Sequence, residues 1–296
     1  MILLPFFLVA CGGDSPVSMT YTGSTIQAEI TDSNAKTVVV DGISTTSATS
    51  SANGASAGMG NKATHKALKL AKAKAFSISR DMRSAPMTFT ESETGPCGGT
   101  LSFDATVDDE TFEIKMAATF NNYCEDDITM SGSMLMDMSL NSSQSDYIIK
   151  MTFTNLKVNM DSESITMSGT MSSEGILSSS LVMNMIMLDN KTNEQVKYEN
   201  FIVTLGANDV EYSGRIYHSV YGYVDVTTLL PMTFDSSGYM SSGSIEFAGS
   251  NSSTTLSAAT NGGYLLETDI DGDGSVDVTD TGAWADLSTD ALFSTF

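Results

Sequence analysis

The sequence predicts a mainly β fold: a large antiparallel meander curled into a half-barrel or barrel, with one amphipathic helix near the N-terminus. Three observations carry that expectation. Apolar and polar residues alternate in segment after segment from Met87 to about Leu266. Short runs rich in Asp, Asn, Gly and Ser punctuate them, as hairpin turns require. Only residues 61–84 have a helical composition. Alternation on one side of each strand means one face of the sheet is buried and the other is wet.

At the start of the chain, residues 2–10 form an apolar run shorter than the about 20 residues a transmembrane helix needs. The run suits the core of a signal peptide. Leu8-Val9-Ala10-Cys11 resembles the lipobox, where signal peptidase cuts before a cysteine that becomes diacylated. The resemblance implies that residues 1–10 are a lipoprotein signal segment and that Cys11 is the lipidation site. No Lys or Arg precedes the run, which departs from the usual charged leader and leaves room for a start codon upstream. Gly12, rather than Asp, stands second in the mature chain, and this implies sorting to the outer membrane, in the periplasmic or the surface-facing leaflet. Each buried lipid methylene contributes about 0.8 kcal/mol, so several acyl chains anchor durably.

Residues 11–60 read as a lipidated tether with a small structured insert. Tyr21 to Ile30 has the pattern of a strand. Residues 34–43 stay open: Asp32-Ser33-Asn34 is a helix start, whereas Val38-Val39-Val40 favours strand. Residues 44–60 are a Ser/Gly/Ala linker. In the amphipathic helix at 61–84, Asn61 is the cap, Ala, Leu and Lys dominate, and Leu68, Ala71, Ala75 and Met82 lie along one stripe. Seven of the 14 basic residues fall between Lys62 and Arg83. Its Ala-rich face is weak for entering lipid, so the expectation is packing on the β body with the lysines toward acidic loops.

The β body spans 85–268. Its clearest hairpin joins 100–107 to 111–120 across Asp108-Asp109-Glu110. If opposing residue numbers sum to 221, Leu101 faces Phe120, Phe103 faces Ala118, Ala105 faces Met116 and Val107 faces Ile114. The same register brings Cys97 opposite Cys124, and direct cross-strand neighbours are close enough for a disulfide. With Cys11 lipidated, these two are the remaining cysteines, in an oxidising compartment. Further strand patterns run over 128–140, 149–153, 156–160, 165–171, 181–188, 201–205, 210–218, 220–227 and 245–247. The phase slips between Phe153 and Leu156, which predicts a bulge at Asn155. Ile128-Thr129-Met130-Ser131-Gly132 recurs as Ile165-Thr166-Met167-Ser168-Gly169, with degenerate copies at Tyr212-Ser213-Gly214 and Ser242-Gly243-Ser244. Their spacing is too irregular for a solenoid or propeller.

Residues 269–296 hold a calcium loop and a C-terminal tail. Asp269-Ile270-Asp271-Gly272-Asp273-Gly274-Ser275-Val276-Asp277-Val278-Thr279-Asp280 matches the EF-hand loop at positions 1, 3, 5, 6 and 9, with Asp for Glu at 12. It resembles the loops of dockerins and other bacterial extracellular calcium modules. Asp269, Asp271, Asp273 and Asp280 would offer carboxylates, Ser275 its carbonyl, and Asp277 a direct or water-bridged contact to a structural Ca²⁺. The preceding Tyr264–Glu267 reads as strand, so this is no paired sensor.

The formal net charge of −22 disfavours nucleic acid, whose phosphates call for Lys and Arg, and no nucleic-acid partner is expected. Met134-Leu135-Met136-Asp137-Met138 and Met183-Asn184-Met185-Ile186-Met187 each put three thioethers on one strand face. They read first as core filler, then as a lining for an apolar ligand, and last as soft-metal donors. Catalytic motifs are missing, and His65 and His218 have no partner visible in the sequence, so no enzyme activity is expected. Cys11-Gly12-Gly13, the Ser/Gly-rich tether, the paired cysteines and the Asp-Gly-Asp-Gly loop together resemble the uncharacterised Cys-Gly-Gly lipoproteins of Gram-negative bacteria. The expected function is that of an outer-membrane-anchored β-rich lipoprotein, structural or adhesive, held in the membrane by its lipid and binding a surface partner. The alternative is a periplasmic carrier of lipid or another apolar ligand in a Met-lined concavity.

Overall fold

The computed structural model describes residues 18–44, 87–108, 111, 113–140, 147–160, 163–174, 180–206, 208–235, 239–260 and 262–288. The helix expected at 61–84, the linker and Cys11 lie outside them. The β body begins with β1 (Met87–Thr94), β2 (Thr100–Val107), β3 (Ile114–Glu125), β4 (Ile128–Leu140) and β5 (Tyr147–Met160). It continues through β6 (Glu163–Glu174), β7 (Ser180–Asp189), β8 (Gln195–Leu205), β9 (Val210–His218) and β10 (Gly222–Phe234). The last strands are β11 (Met240–Gly249), β12 (Ser252–Ala258), β13 (Tyr264–Asp269) and β14 (Val278–Gly282).

All fourteen strands form one sheet in chain order, β1 to β14, each antiparallel to the next. The two end strands do not pair with each other, so the meander is open rather than a closed barrel. Because every link is a hairpin, all turns from an odd strand to the following even strand lie along one rim. The hairpin of β2 and β3 has the register read from sequence, with Leu101 opposite Phe120 and Val107 opposite Ile114.

The inner face is mostly apolar, with Ser252, Thr254 and Thr268 as buried polar members. A single cluster of buried side chains runs from Leu101 on β2 to Leu266 on β13. The repeated Ser-Gly pairs have a structural role in the sheet that carries it. Asn122, Asn155 and Asn200 all take φ of 47°. Each sits where the pairing register slips, between Phe120 and Tyr123, Phe153 and Leu156, and Glu199 and Ile202. Across from these bulges lie Ser131-Gly132, Ser168-Gly169 and Gly214 on the following strands. Asn200 receives its support from β7 instead, donating its N–H to Asn184 Oδ1 at 2.8 Å. A transverse line of bulges thus crosses β3 to β9. Bulges bend the bulged strand and increase its twist, which curls a sheet this wide.

The segment expected as a strand at Tyr21–Ile30 is instead an extended strap across the strand ends, with one isolated parallel bridge, Gln27 to Tyr223. It starts on the outer face, where Met19 N–H donates to Ser168 Oγ and Thr22 N–H donates to Gln195 Oε1 at 2.8 Å. It reaches the rim at Ser24, whose N–H donates to the Ser219 carbonyl, and at Ile26, whose carbonyl accepts from Tyr223 N–H. Past Ala28, bonded to both Tyr223 and Ser250, it turns inward. Its backbone groups find partners on successive turns of the sheet, so it has no need of a ladder of its own.

Inside, the open question at 34–43 resolves as helix: α1 (Ala35–Ser44). The Asn34 carbonyl accepts the first helical bond from Val38 N–H at 3.0 Å. Its side chain braces the approach, accepting from Thr31 N–H and donating to the Glu29 carbonyl. Val38, Val39 and Val40 are all buried. Three β-branched residues cost a helix only a few tenths of a kcal/mol each relative to straight-chain ones, and burying a valine gains about 1.5 kcal/mol or more. Tertiary packing therefore decides the conformation. A short α2 (Trp284–Ser288) closes the described chain, with Trp284 and Leu287 in the same core as α1. No described helix is long and apolar enough to cross a membrane.

Candidate functional site

The acidic loop joins β13 to β14 on the rim shared by all odd-to-even turns. Asp269 ends β13 and organises the loop, its Oδ1 accepting from Gly272 N–H at 2.7 Å and its Oδ2 from Gly274 N–H at 2.8 Å. Asp271 Oδ1 accepts from Asp273 N–H, and Asp273 Oδ1 from Ser275 N–H. Gly272 and Gly274 take φ of 72° and 86°, left-handed values that let the chain reverse twice in four residues. The result is convergence: one carboxylate oxygen from each of Asp269, Asp271 and Asp273 lies within 4.8 Å of the others. Oxygens about 2.4 Å from a shared Ca²⁺ are at most about 4.8 Å apart, a separation the three meet.

The remaining members of the sequence motif are placed differently. Asp277 Oδ2 accepts from Ile270 N–H at 2.8 Å, stitching the base of the loop, and its own N–H donates to the Thr268 carbonyl. Asp280 lies on β14 opposite Leu266, where its Oδ2 accepts from the Tyr264 hydroxyl at 2.8 Å. Burial and that bond to Asp280 raise the Tyr264 phenol above its ordinary pKa. Ser275 is exposed, its N–H committed to Asp273. The motif is therefore a β-hairpin loop, flanked by strands where an EF-hand has helices.

At the other end of the same rim, Cys97 and Cys124 form a disulfide with Cα atoms 5.2 Å apart. Cys97 sits in the β1–β2 turn, and its neighbour Gly98 accepts from Cys124 N–H at 3.0 Å. Beside the bridge, the buried Tyr123 hydroxyl lies 3.0 Å from Glu93 Oε1 and 2.8 Å from Glu125 Oε2. Burial and these two carboxylates push the phenol well above its usual range.

A polar-aromatic patch on the outer face of β8–β10 holds the strap. Lys197 lies 4.3 Å from the Tyr217 ring centroid and Arg215 3.9 Å from that of Tyr223. Arg215 binds Asp225 through both Nε and Nη2, and Lys197 pairs with Glu199 at 2.7 Å. Hydrogen bonds from Lys197 and then Tyr217 lower the Glu199 carboxyl pKa. Tyr21 packs edge-on to Tyr217 at 5.7 Å, and burial followed by the nearby Tyr217 pushes its phenol up to about 12. Sequence reasoning missed Gln195, Ser168 and Ser252 as anchors of the strap, because their partners lie 149 to 222 residues away and leave no local signal.

His218 is buried at the β9–β10 turn, its Nδ1 accepting from Val220 N–H at 3.0 Å and Tyr221 N–H at 3.3 Å. Burial lowers its pKa to about 4. A nitrogen already filled by two turn amides is a structural acceptor, ill placed to act as a general base. His65 and Cys11 lie outside the described residues. No family model, no curated protein and no solved structure matches this chain.

Proposed function

We propose that this chain is an outer-membrane-anchored lipoprotein whose β body has a structural or adhesive role in the cell envelope, without catalysis. The observation that supports it best is the occupied interior. Val38, Val39 and Val40 of α1 share one core with side chains from β2 to β13, so the chain fills its own concavity at that end. The anchor rests on Leu8-Val9-Ala10-Cys11, and a single structural Ca²⁺ at Asp269, Asp271 and Asp273 stiffens the rim.

The anchor is tested by metabolic labelling with palmitate. The wild type incorporates the label and fractionates with the outer membrane, and Cys11→Ala does neither; equal labelling of both would remove the anchor from the proposal. Protease treatment of intact cells then separates a surface-facing body from a periplasmic one.

A second reading, a carrier of lipid or another apolar ligand, draws on one observation. Met151, on the inner face at the middle of β5, stays partly exposed beside a small methionine cluster set apart from the main core. A lipid-sized mass retained by the purified protein in native mass spectrometry would favour it.

A further inference from the structure

Five methionines stand in one unbroken row across the inner face. Met116 on β3 pairs with Met136 on β4, and Met136 with Met151 on β5. Met151 pairs with Met171 on β6, and Met171 with Met183 on β7. Directly opposed side chains have Cβ atoms about 4.5–5.5 Å apart. A thioether reaches out from there through three rotatable bonds, so neighbouring sulfurs can turn toward a shared point. Met134 and Met138 flank Met136 on β4, and Met185 flanks Met183 on β7, each two residues along on the same face. The row ends at Ala105 on β2 and Phe201 on β8. The donors it presents are neutral sulfurs.

Methionine is an ordinary filler of irregular cores, and two features set this row apart from filler. A core that only needs volume uses residues with well-defined rotamers and alternates large with small; here the most flexible apolar residue is repeated on five consecutive strands. The row is also partly detached. Ala105, Met116, Met136 and Met138 form a cluster separate from the main core, to which Met171 and Met183 belong; Ile114 and Ile149 are partly buried around that cluster, and Met151, also partly buried, packs against both. Met151, the middle member, is thus within reach of a small solute. A net charge of −22 also raises the local concentration of cations.

The geometry points to a binding site for a soft monovalent metal ion, Cu(I) or Ag(I), held by two or three thioethers of the row Met116, Met136, Met151, Met171 and Met183. Thioether sulfur selects such ions over Ca²⁺ and Mg²⁺, which require oxygen. The site is chemically and spatially separate from the acidic loop on the rim. Thioethers carry no titratable proton, so binding releases none and is insensitive to pH, unlike binding to thiolate or imidazole.

The test uses the full chain carrying Cys11→Ser, which removes a competing thiol, with Cys97 and Cys124 oxidised and Ag(I) as the probe in chloride-free buffer. Native mass spectrometry should show Ag(I) retained with equal affinity at pH 5 and pH 8. With ¹³C-methyl methionine, the methyl signals of the row should shift, while those of Met232 and Met240 stay in place. The triple variant M136L/M151L/M171L should lose at least about tenfold in affinity. Methyl shifts spread evenly over all methionines, or an affinity unchanged in the triple variant, would overturn the proposal. Should the variant not fold, the methyl spectrum of the parent chain decides alone.

Discussion

Asn155 on β5 and Ser168 on β6 hold each other twice: Asn155 N–H donates to Ser168 Oγ at 2.9 Å, and the Ser168 hydroxyl donates to Asn155 Oδ1 at 3.0 Å. Asn122 and Ser131 repeat the exchange between β3 and β4 at 3.3 Å and 2.9 Å. A bulge leaves a backbone N–H without its ladder partner, and one serine hydroxyl supplies the partner while satisfying the side chain as well. At Asn122 and Asn155 the Ser-Gly echoes in the sequence are thus the opposing half of a bulge device.

Replacing Ser168 with Ala should therefore destabilise by about 1–3 kcal/mol, the cost of stranding buried polar groups. Ser168 is 1 % exposed, so water cannot substitute readily. Gly169→Ala should cost at least as much. Gly169 has φ of 130°, and an added Cβ would run into the Asn184 carbonyl and the Met185 backbone. Urea unfolding of both variants checks this. Gly98→Ala, where φ is 121° but the space is open, gives the cost of strain alone.

Calcium should stabilise the protein in proportion to loop occupancy. For affinity near about 10⁻⁴–10⁻³ M, 10 mM Ca²⁺ contributes roughly 1.4–2.7 kcal/mol by mass action. Asp271→Asn should abolish most of this gain with little effect on stability in chelator, since the amide oxygen can still accept from Asp273 N–H. Asp269→Ala should lower stability in chelator too, because both its oxygens hold loop amides. Thermal unfolding with and without Ca²⁺ separates the two effects. A melting temperature indifferent to Ca²⁺ would dismiss the ion.

What could be read in advance follows the range of the interactions. The β2–β3 hairpin was legible because its alternation and its cysteines independently demand one register, and both signals are local. The slip at Asn155 was legible as a break in phase. β12 carries a poorer signal, Ser-Ser-Thr-Thr-Leu-Ser-Ala, because two of its inward positions are polar. Thr254 is buried by pairing its hydroxyl with that of Thr268 at 2.9 Å. The strap and α1 were beyond local reasoning. Their conformation depends on turns of β9–β12 nearly two hundred residues away, which override the strand propensity of Val38-Val39-Val40.

The disulfide should matter more to stability than to shape. It closes a sequence separation of 27 residues, and the chain-entropy model assigns such a loop about 3.5 kcal/mol. Because the β2–β3 and β3–β4 pairings do not depend on it, the Cys97→Ala/Cys124→Ala variant should keep its far-ultraviolet dichroism and unfold at lower urea. A variant that loses its β spectrum outright would mean the bridge is needed to form the hairpin.

Acid should destabilise the protein through His218. Its folded pKa is about 4, against 6.5 for the free side chain, because burial disfavours the imidazolium. Between those values the unfolded chain holds a proton that the folded chain lacks, so stability rises with pH across the window and is lost as pH falls from 6.5 toward 4. The shift corresponds to a total on the order of 3 kcal/mol. His218→Asn keeps an acceptor for the Val220 and Tyr221 amides but cannot titrate. The difference in unfolding free energy between wild type and this variant, measured from pH 7 to pH 4, should shift against the wild type across that interval and level off below it. Carboxylates titrate in both proteins alike and cancel in the difference. A difference that stays flat with pH would mean that the imidazole is solvated when the chain is folded, and that the β9–β10 turn, with the strap across it, is looser than the two amide bonds imply.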